Sequence, residues 1–419
     1  MKLLLSAFLT LVFVATFAQE TGIHRVNRIF EAGRDGYYTY RIASMVSTAK
    51  GSLLAFCAAR KGTGGDWDPI DIVMRRSADG GKSWEPMRVL VPGGAKPSDN
   101  ATPIVDQVTG QVHLLYQTDY ARCFYRQSSD DGSSWSEPVD ITSVIEGFRS
   151  VYPWVVLAPG PGHGIQLRNG RLVVPFWLSD GGQKEFGPKH RGHRPSIVVS
   201  VYSDDHGRTW KAGAVAVPDN DTTIVPNETS CIELSDGRVL FNSRNESPNY
   251  RRLFTYSQDG ATGWSTPVFA DAFFEPICFG SMVRVSQRPY QSKDRIIFCN
   301  PDSRQDPWRA TKSSTPRSAP NRHRVNLTIR MSYDEGLTWP VSKVIDPGVA
   351  GYSDVAVTPD GMIHCFYEGG TIEGTGGNQY KNTHMSVVSF DLAWLTDGAD
   401  QPSRRDKPYR SPAVAAIPK

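Results

Sequence analysis

The chain has 419 residues, of which 39% are hydrophobic and 21% are charged, and its formal net charge is +3 at pH 7. This near-neutral balance gives no indication of a polyanionic partner such as nucleic acid. The length is sufficient for one large domain or two ordinary ones.

The first residues have the features of a secretory signal peptide. Lys2 precedes the apolar run LLLSAFLTLVFVATFA, which ends in small residues. The run is too short for a membrane anchor, and the polar pair Gln19 and Glu20 follows it directly. We therefore expect residues 1–18 to be cleaved and the mature chain to be secreted or periplasmic, without insertion into a membrane.

The remaining chain has the composition of an all-β protein. Short runs rich in Val, Ile, Leu and Phe alternate with clusters of Gly, Asp, Asn and Pro, and long helical periodicity is hard to find. One eight-residue pattern recurs five times: SADGGKSW at 77–84, SSDDGSSW at 128–135, SDDHGRTW at 203–210, SQDGATGW at 257–264 and SYDEGLTW at 332–339. Self-similar segments of this kind are typical of a repeat architecture.

The repeated octet has a mechanical interpretation. Its Asp is suited to accept backbone N–H groups in a tight turn, its Ser can reinforce that turn, and its Gly permits a positive φ. Its closing Trp can wedge between neighbouring sheets. We therefore predict that the five Asp residues are structural rather than catalytic.

The repeat spacing predicts the architecture. The octets begin at residues 77, 128, 203, 257 and 332, and with the loop-like segments 180–195 and 302–320 set aside the unit is about 50–65 residues, which fits a four-stranded propeller blade. The sequence predicts a six-bladed β-propeller of four-stranded antiparallel blades, spanning 19–419 as a single domain. The run HMSVVSFDLAWL at 384–395 is expected to pair with N-terminal strands and close the ring.

Between the octets, five segments carry a more specific pattern. They are YYTYRIASMV with Arg41, AARKGTGGDWDPIDIVMRRS with Arg60 and Asp66, PNETSCIELSDGRVLFNSRN with Glu228 and Arg244, RVNLTIRMS opening with Arg324, and GYSDVAVTPDGMIHCFYEGG with Tyr352 and Glu368. The octet resembles the Asp box of sialidases (neuraminidases), and these segments resemble that family's active-site motifs in the same order. One departure is Ala43, where the family usually has Pro.

The resemblance implies an exo-α-sialidase of the bacterial type, in which Arg41, Arg244 and Arg324 bind the carboxylate of a terminal sialic acid. Arginine suits this task because its planar fork binds carboxylates bidentately and remains charged. Glu368 would hold Arg41 in position. Arg60 would lie near the sugar's O4, with help from Asn100.

The same resemblance implies the catalytic residues. Tyr352 would be the nucleophile, activated by Glu228, since a carboxylate nucleophile would approach an anomeric centre that already bears negative charge. The nearby arginines are expected to favour the phenolate. Asp66 would be the general acid and base. By spacing alone, Asp68 and Asp71 are rivals to Asp66.

The implied partners are terminal sialosides of glycoproteins, glycolipids or oligosaccharides, with no metal or organic cofactor, and we expect a monomer. An apolar pocket for the N-acetyl group is implied, with Phe124, Phe176 and Trp177 as candidates, although core packing is the favoured interpretation of all three. Alternatives are a trans-sialidase, a hydrolase of a related nonulosonic acid, or a non-catalytic glycan-binding propeller.

Two other sets of residues are open to a chemical interpretation. His190 and His193 in KHRGHR could ligate a metal, but no neighbouring residue in the sequence completes a site, and a solvated loop is the simpler interpretation. Six cysteines lie far apart without a CxxC motif, so buried free thiols are favoured over disulfides.

Overall fold

The computed structural model of the protein describes residues 24–305, 322–375 and 378–402. The predicted signal peptide at 1–18, and most of the loop-like segment 302–320, lie outside these ranges. Within them the chain folds almost entirely as β-strands, which confirms the all-β prediction. No helix in the described ranges has the length and apolar character needed to cross a membrane.

Four antiparallel sheets follow one another along the chain, after a first strand, β1 (His24–Glu31). The first contains β2 (Thr39–Ser47), β3 (Leu53–Arg60), β4 (Ile70–Ser77) and β5 (Arg88–Val91). The second contains β6 (Ser98–Val105), β7 (Val112–Thr118), β8 (Arg122–Ser128) and β9 (Val139–Asp140). The third contains β10 (Val156–Pro159), β11 (Ile165–Gln166), β12 (Leu172–Ser179), β13 (Ser196–Ser203) and β14 (Lys211–Val217). The fourth contains β15 (Thr229–Glu233), β16 (Val239–Ser243), β17 (Arg251–Ser257) and β18 (Val268–Phe274).

The remaining strands form one seven-stranded sheet, in the order β1-β24-β23-β22-β21-β20-β19. Its new members are β19 (Ser281–Ser286), β20 (Arg295–Pro301), β21 (Val325–Ser332), β22 (Val341–Val357), β23 (Ile363–Gly369) and β24 (His384–Phe390). Helical turns are short: α1 (Thr142–Glu146), α2 (Leu392–Leu395) and 3₁₀ turns at Gly147–Ser150 and Ser303–Gln305.

The prediction of six separate four-stranded blades is wrong. Four sheets are discrete blades, one of them with an added short strand, and the rest of the described strands belong to a single sheet. The reason is β22, whose 17 residues pair with β21 up to Val349 and with β23 from Ala350 onward. Asp346, Pro347 and Gly348 read as a turn by composition, yet the backbone stays extended through them.

The predicted pairing of the chain ends is confirmed. β1 pairs antiparallel with β24, from His24 opposite Phe390 to Glu31 opposite His384. Phe30 is buried, and its ring packs 5.2 Å from that of Tyr40 in β2 and 6.1 Å from that of Phe366 in β23. The first strand therefore joins the first blade to the seven-stranded sheet.

The five octets occupy the same position in each repeat, at the turn that follows β4, β8, β13, β17 and β21. In each, the Ser hydroxyl donates to the Asp carboxylate, which also accepts a backbone N–H from three or four residues further on. The Trp side chains pack against the hydrophobic core, as when Trp135 meets Phe56 of the preceding blade edge-on at 5.9 Å. These contacts confirm a structural role for the five Asp residues.

Candidate active site

A cavity of about 570 Å³ lies where strands from several sheets converge, and it is lined by eight of the nine predicted site residues: Arg41, Arg60, Asp66, Asn100, Glu228, Arg244, Arg324 and Tyr352. The ninth, Glu368, lies behind this surface. Arg60 is paired with Ile70 at the start of β4, whereas the first octet begins at Ser77 at its end. The cavity and the octets are therefore at opposite edges of the blade.

Irregular backbone directs these side chains inward. The pairing of β2 with β3 is interrupted between Arg41 and Ser44, and Ile42 within this bulge has a φ of 63°. A β-branched residue is strained in that region, and such strain is typical of functional sites. Similar interruptions lie at 99–102 in β6 and 350–353 in β22.

Glu368 holds Arg41 as the sequence predicted. Its carboxylate lies 3.3 Å from both Nε and Nη2 of Arg41. It also accepts the backbone N–H groups of Ile42, at 2.8 Å, and Tyr352, at 3.2 Å. One buried carboxylate thus fixes the arginine and ties β2 to β22.

Arg324 is buried at 1% exposure, and within the described ranges no carboxylate is paired with it. Its Nη2 donates to the carbonyl oxygen of Ile277, while its Nε and Nη1 have no hydrogen-bond partner in the described part of the chain. The rings of Tyr352 and Tyr380 lie 5.0 and 4.5 Å from its guanidinium carbon. Two buried guanidinium donors without a hydrogen-bond partner, on a residue that lines the cavity, are suited to an anion that binds there.

Tyr352, Glu228 and Arg244 form a compact hydrogen-bonded group. The phenol of Tyr352 donates to Oε1 of Glu228 at 2.5 Å, and Nη1 of Arg244 lies 2.5 Å from both Glu228 Oε2 and the Tyr352 oxygen. Burial raises the pKa of Tyr352 well above its usual range, and Glu228 adds to this, although Arg244 opposes it. The arginines do favour the phenolate, as expected, but burial outweighs them, so the phenol stays protonated in the free protein.

Asp66 lies in the loop between β3 and β4, where arginine side chains from the neighbouring strands hold its carboxylate. Its Oδ1 accepts from Nη1 of Arg60 at 2.6 Å and lies 3.9 Å from Nη1 of Arg41. Burial by itself raises the pKa of Asp66, but Arg60 and then His193 outweigh burial and hold the pKa well below its usual range. In the free protein Asp66 is therefore a carboxylate.

The two rivals of Asp66 are occupied elsewhere. Asp68 accepts from the backbone N–H groups of Thr63 and Gly65, and so shapes the loop. Asp71 accepts from the Tyr37 hydroxyl at 2.7 Å and pairs with Lys61 at 2.8 Å. Of the three carboxylates, only Asp66 lines the cavity.

Arg60 and Asn100 both line the cavity. Arg60 bridges Asp66 and Asp99, with Nη2 3.2 Å from Asp99 Oδ2. Burial raises the pKa of Asp99 to about 6, although Arg60 and the backbone N–H of Asn100 lower it. Asn100 has a φ of 56° and occupies the interruption in β6.

The cavity has an aromatic wall that the sequence indicated only through Trp177. The other members are Tyr120, Phe186 and His193, whose ring centroid lies 4.6 Å from that of Tyr120 and 4.5 Å from that of Phe186. Burial and Arg194 lower the pKa of His193 to about 4, although Asp66 raises it. The ring is therefore neutral near pH 7. The other two candidates for an apolar pocket, Phe124 and Phe176, pack in hydrophobic clusters.

His190 and His193 both pack against Trp67, with ring centroids 5.2 and 5.8 Å from it. Across the described residues, no group of three or more His, Cys, Asp or Glu side chains is arranged to hold a metal ion. The six cysteines are buried and form no disulfide, as favoured from the sequence.

Tyr380 is a further lining residue that sequence reasoning missed. It lies between β23 and β24, in a segment rich in Gly, Asn and Thr that reads as an ordinary connection. No local pattern distinguishes it, because its importance depends on which arginines the fold brings beneath it.

These features define a β-propeller with a buried, positively charged pocket beside a hydrogen-bonded Tyr–Glu pair. Residues 51–365 match the family model described as BNR repeat-like domain. The chain is 33% identical over 393 residues to a sialidase of Micromonospora viridifaciens, covering 87% of this chain and 53% of that protein. It is 27% identical over 384 residues to a sialidase of Bacteroides fragilis, covering 83% of this chain and 64% of that protein.

The chain thus belongs to the sialidase family with BNR repeats, and it spans between about half and two thirds of the length of these two relatives. The intramolecular trans-sialidase of Ruminococcus gnavus, solved with oseltamivir carboxylate, has a similar structure. The TM-score is 0.66 at 17% identity, covering 88% of this chain and 98% of that one. At this identity the likeness shows the fold alone.

Proposed function

We propose that this protein is an exo-α-sialidase that removes terminal sialic acids from glycoproteins, glycolipids or oligosaccharides. The observation that carries the proposal is Arg324, a buried cation that lines the cavity and has two donors without a hydrogen-bond partner in the described part of the chain. Arg41 and Arg244 line the same cavity. A sugar that bears a carboxylate on its anomeric carbon would supply the missing acceptors at the place where Tyr352 lies.

The proposed reaction proceeds through a tyrosyl intermediate with retention of configuration. Glu228 takes the phenolic proton of Tyr352, whose oxygen forms a bond to the anomeric carbon as the glycosidic C–O bond breaks. The 2.5 Å hydrogen bond between the two side chains supports this pairing. Asp66 gives a proton to the departing oxygen, and then takes one from the water that releases the sugar.

Asp66 must be protonated to begin this sequence, although the free protein favours its carboxylate form. Binding of the substrate carboxylate next to Arg41 would offset the charge of this guanidinium group, which lies 3.9 Å from Oδ1 of Asp66. The pKa of Asp66 would then rise, because nearby negative charge favours the protonated carboxyl. We therefore propose that the substrate itself prepares Asp66 for the acid step.

We also propose that the chain is secreted or periplasmic, which the signal-peptide pattern of residues 1–18 supports. N-terminal sequencing of the protein recovered from the medium or periplasm should begin after Ala18. Recovery of the uncleaved chain from the cytoplasm alone would contradict export.

The proposed activity is tested by turnover of a fluorogenic sialoside by the wild-type protein, Tyr352→Phe and Asp66→Asn. We expect wild-type turnover and a loss of kcat of about 10³-fold or more in Tyr352→Phe, since the covalent route is removed. Asp66→Asn should lose about 10²–10⁴-fold. Circular dichroism of each variant should match the wild type. A folded wild type without turnover, or an unimpaired Tyr352→Phe, would refute the proposed function or its mechanism respectively.

A further inference from the structure

The turn at 378–381 lies over the cavity, and all four of its residues line it. The backbone N–H of Lys381 donates to the carbonyl oxygen of Asn378 at 3.0 Å, and that of Ile372 donates to the carbonyl oxygen of Lys381 at 2.8 Å. The Lys381 ammonium also donates to the carbonyl oxygen of Thr63, in the loop between β3 and β4 that carries Asp66. The turn is therefore attached both to its own connection and to the opposite wall.

Tyr380 within this turn contacts two of the three predicted carboxylate-binding arginines. Its ring centroid is 4.5 Å from the guanidinium carbon of Arg324 and 5.6 Å from that of Arg41. The Tyr352 ring lies at similar distances from the same two arginines, 5.0 and 5.3 Å. Each guanidinium is thus in cation–π contact with both tyrosines.

The turn also binds the backbone of Arg324. The side-chain amide oxygen of Gln379 accepts the N–H of Arg324 at 2.7 Å, and Asn378 accepts the N–H of Tyr380 at 2.9 Å. Tyr380 and Arg324 are therefore positioned relative to one another by two short links, so the ring lies over the arginine as a fixed part of the cavity.

Tyr380 nevertheless remains 42% exposed, whereas Arg324 is buried. Because one part of the ring rests on the arginines and the residue lines the cavity, its free part is available to a ligand. Arg324 is the largest influence on the phenol and lowers the pKa of Tyr380, with Arg244 and Arg41 acting in the same direction. The phenol is thus close to the charge that would bind an anion.

We propose that Tyr380 is a further substrate-binding residue, which covers the arginines and contacts the carboxylate-bearing end of the sugar. The inference rests on the proposed function. A ring against Arg324 and Arg41 excludes water from one side of both forks, which strengthens their bonds to a carboxylate. The phenolic hydroxyl adds a donor at the same end.

The test compares Tyr380→Ala and Tyr380→Phe with Tyr290→Ala, a control of matched exposure at 41% that lies outside the cavity lining. The measurements are kcat and KM with a fluorogenic sialoside, and calorimetric affinity for a 2,3-unsaturated sialic acid and its methyl ester. Tyr380→Ala should raise KM and weaken binding of the acid by about ten-fold. Affinity for the uncharged ester and kcat should change by less than about two-fold. Tyr380→Phe keeps the ring and should lie between Tyr380→Ala and the wild type.

The outcomes separate this inference from the proposed function. A wild type that neither turns over the sialoside nor binds the acid removes the proposed function. An active wild type with an unchanged KM in Tyr380→Ala contradicts the role of Tyr380 alone. Equal losses for the acid and the ester, or an equal loss in Tyr290→Ala, would also contradict it, because the contact would then not be directed at the carboxylate.

Discussion

Arg324 is the residue at which folding and ligand binding are in most direct conflict. A buried guanidinium without a carboxylate partner is costly, since its desolvation is not offset by an ion pair. Arg41 avoids this cost through Glu368, and Arg244 through Glu228. In the described ranges Arg324 has instead the carbonyl oxygen of Ile277 and two aromatic rings. Arg324 therefore retains two hydrogen-bond donors, Nε and Nη1, without a partner in the described ranges.

This arrangement predicts that Arg324→Lys binds sialosides poorly while the protein stays folded. Lysine keeps the charge but loses the planar fork, so KM should rise by about ten-fold or more, with a smaller change in kcat. Steady-state kinetics with a fluorogenic sialoside measure both constants. Arg238→Lys is the control, because Arg238 is exposed and pairs with Asp236 away from the cavity. A KM for Arg324→Lys no higher than that of the control would contradict an anion-binding role.

At the residue scale, the motifs of the sequence were enough to identify most residues of the site, but they did not reveal how those residues are arranged. Arg41, Glu228 and Tyr352 stand in recognisable segments, and they line or face one cavity. Tyr380 could not be identified, because nothing in its own segment reveals that Arg324 lies beneath it. The effect of the arginines on Tyr352 was predicted correctly, but the sequence did not reveal that burial outweighs it and raises the pKa of Tyr352.

Among the structural elements, the octet turns show how a repeated sequence becomes a repeated contact. Asp205 accepts the backbone N–H of Thr209 at 2.9 Å, and the hydroxyls of Thr209 and Ser203 at 2.6 and 2.8 Å. Asp205→Ala leaves these donors unpaired and should lower the free energy of unfolding by about 1–2 kcal/mol, allowing for solvent at the turn. Because the octets lie at the blade edge away from the cavity, kcat/KM should be unchanged.

Chemical denaturation measures the stability change of Asp205→Ala, and Asp221→Ala supplies the control. Asp221 is an exposed residue of the same charge outside the octets. Equal midpoints for the two variants would show that the turn does not depend on its carboxylate. A large loss of kcat/KM in folded Asp205→Ala would show instead that the octets and the cavity are not independent.

The octets also predict how stability responds to acid. Burial by itself raises the pKa of Asp205, but hydrogen bonds from Thr209 and Ser203 lower it to about 2, from an ordinary value of 3.8. Asp79, Asp130 and Asp259 likewise have a pKa of about 2. A carboxyl with a depressed pKa in the folded state stabilises it above the unfolded value and loses that effect as pH falls through the folded one.

The free energy of unfolding should therefore decrease between about pH 4 and pH 2, and Asp205→Ala should show a shallower decrease than the wild type. Urea titrations across this range measure both slopes. Since these carboxylates are largely solvent-exposed, the contribution of each is small and the sum is what is observed. Identical slopes in the two proteins would exclude Asp205 from the acid response.

The blade count shows where reasoning from elements fails. Octet spacing and alternating strands were enough to predict an all-β repeat protein and the pairing of its two ends. They could not predict that β22 runs unbroken through Asp346, Pro347 and Gly348, because local composition there favours a turn. The first part of β22 pairs with β21 and its second part pairs with β23, and this pairing keeps the whole strand extended.

For the molecule as a whole, the site depends on elements that are far apart in sequence. Arg41 enters from β2, Arg244 follows β16, and Tyr352 lies in β22. Their relative positions are fixed only when the first blade and the seven-stranded sheet are held against each other. The β1–β24 pairing makes part of that connection, and Phe30 packs at its centre between Tyr40 and Phe366.

Phe30→Ala should therefore destabilise the whole propeller rather than one edge of it. Removing a buried phenylalanine costs about 3–5 kcal/mol, and because β1 links the first blade to the last sheet, unfolding should remain a single transition at a lower temperature. Differential scanning calorimetry, with sialoside turnover followed at the same temperatures, measures whether activity and structure are lost together. Val26→Ala, on the same strand at 50% exposure, should leave the transition nearly unchanged. A separate early transition in Phe30→Ala that leaves turnover intact would contradict this prediction. It would mean that the propeller keeps its cavity when β1 no longer pairs with β24.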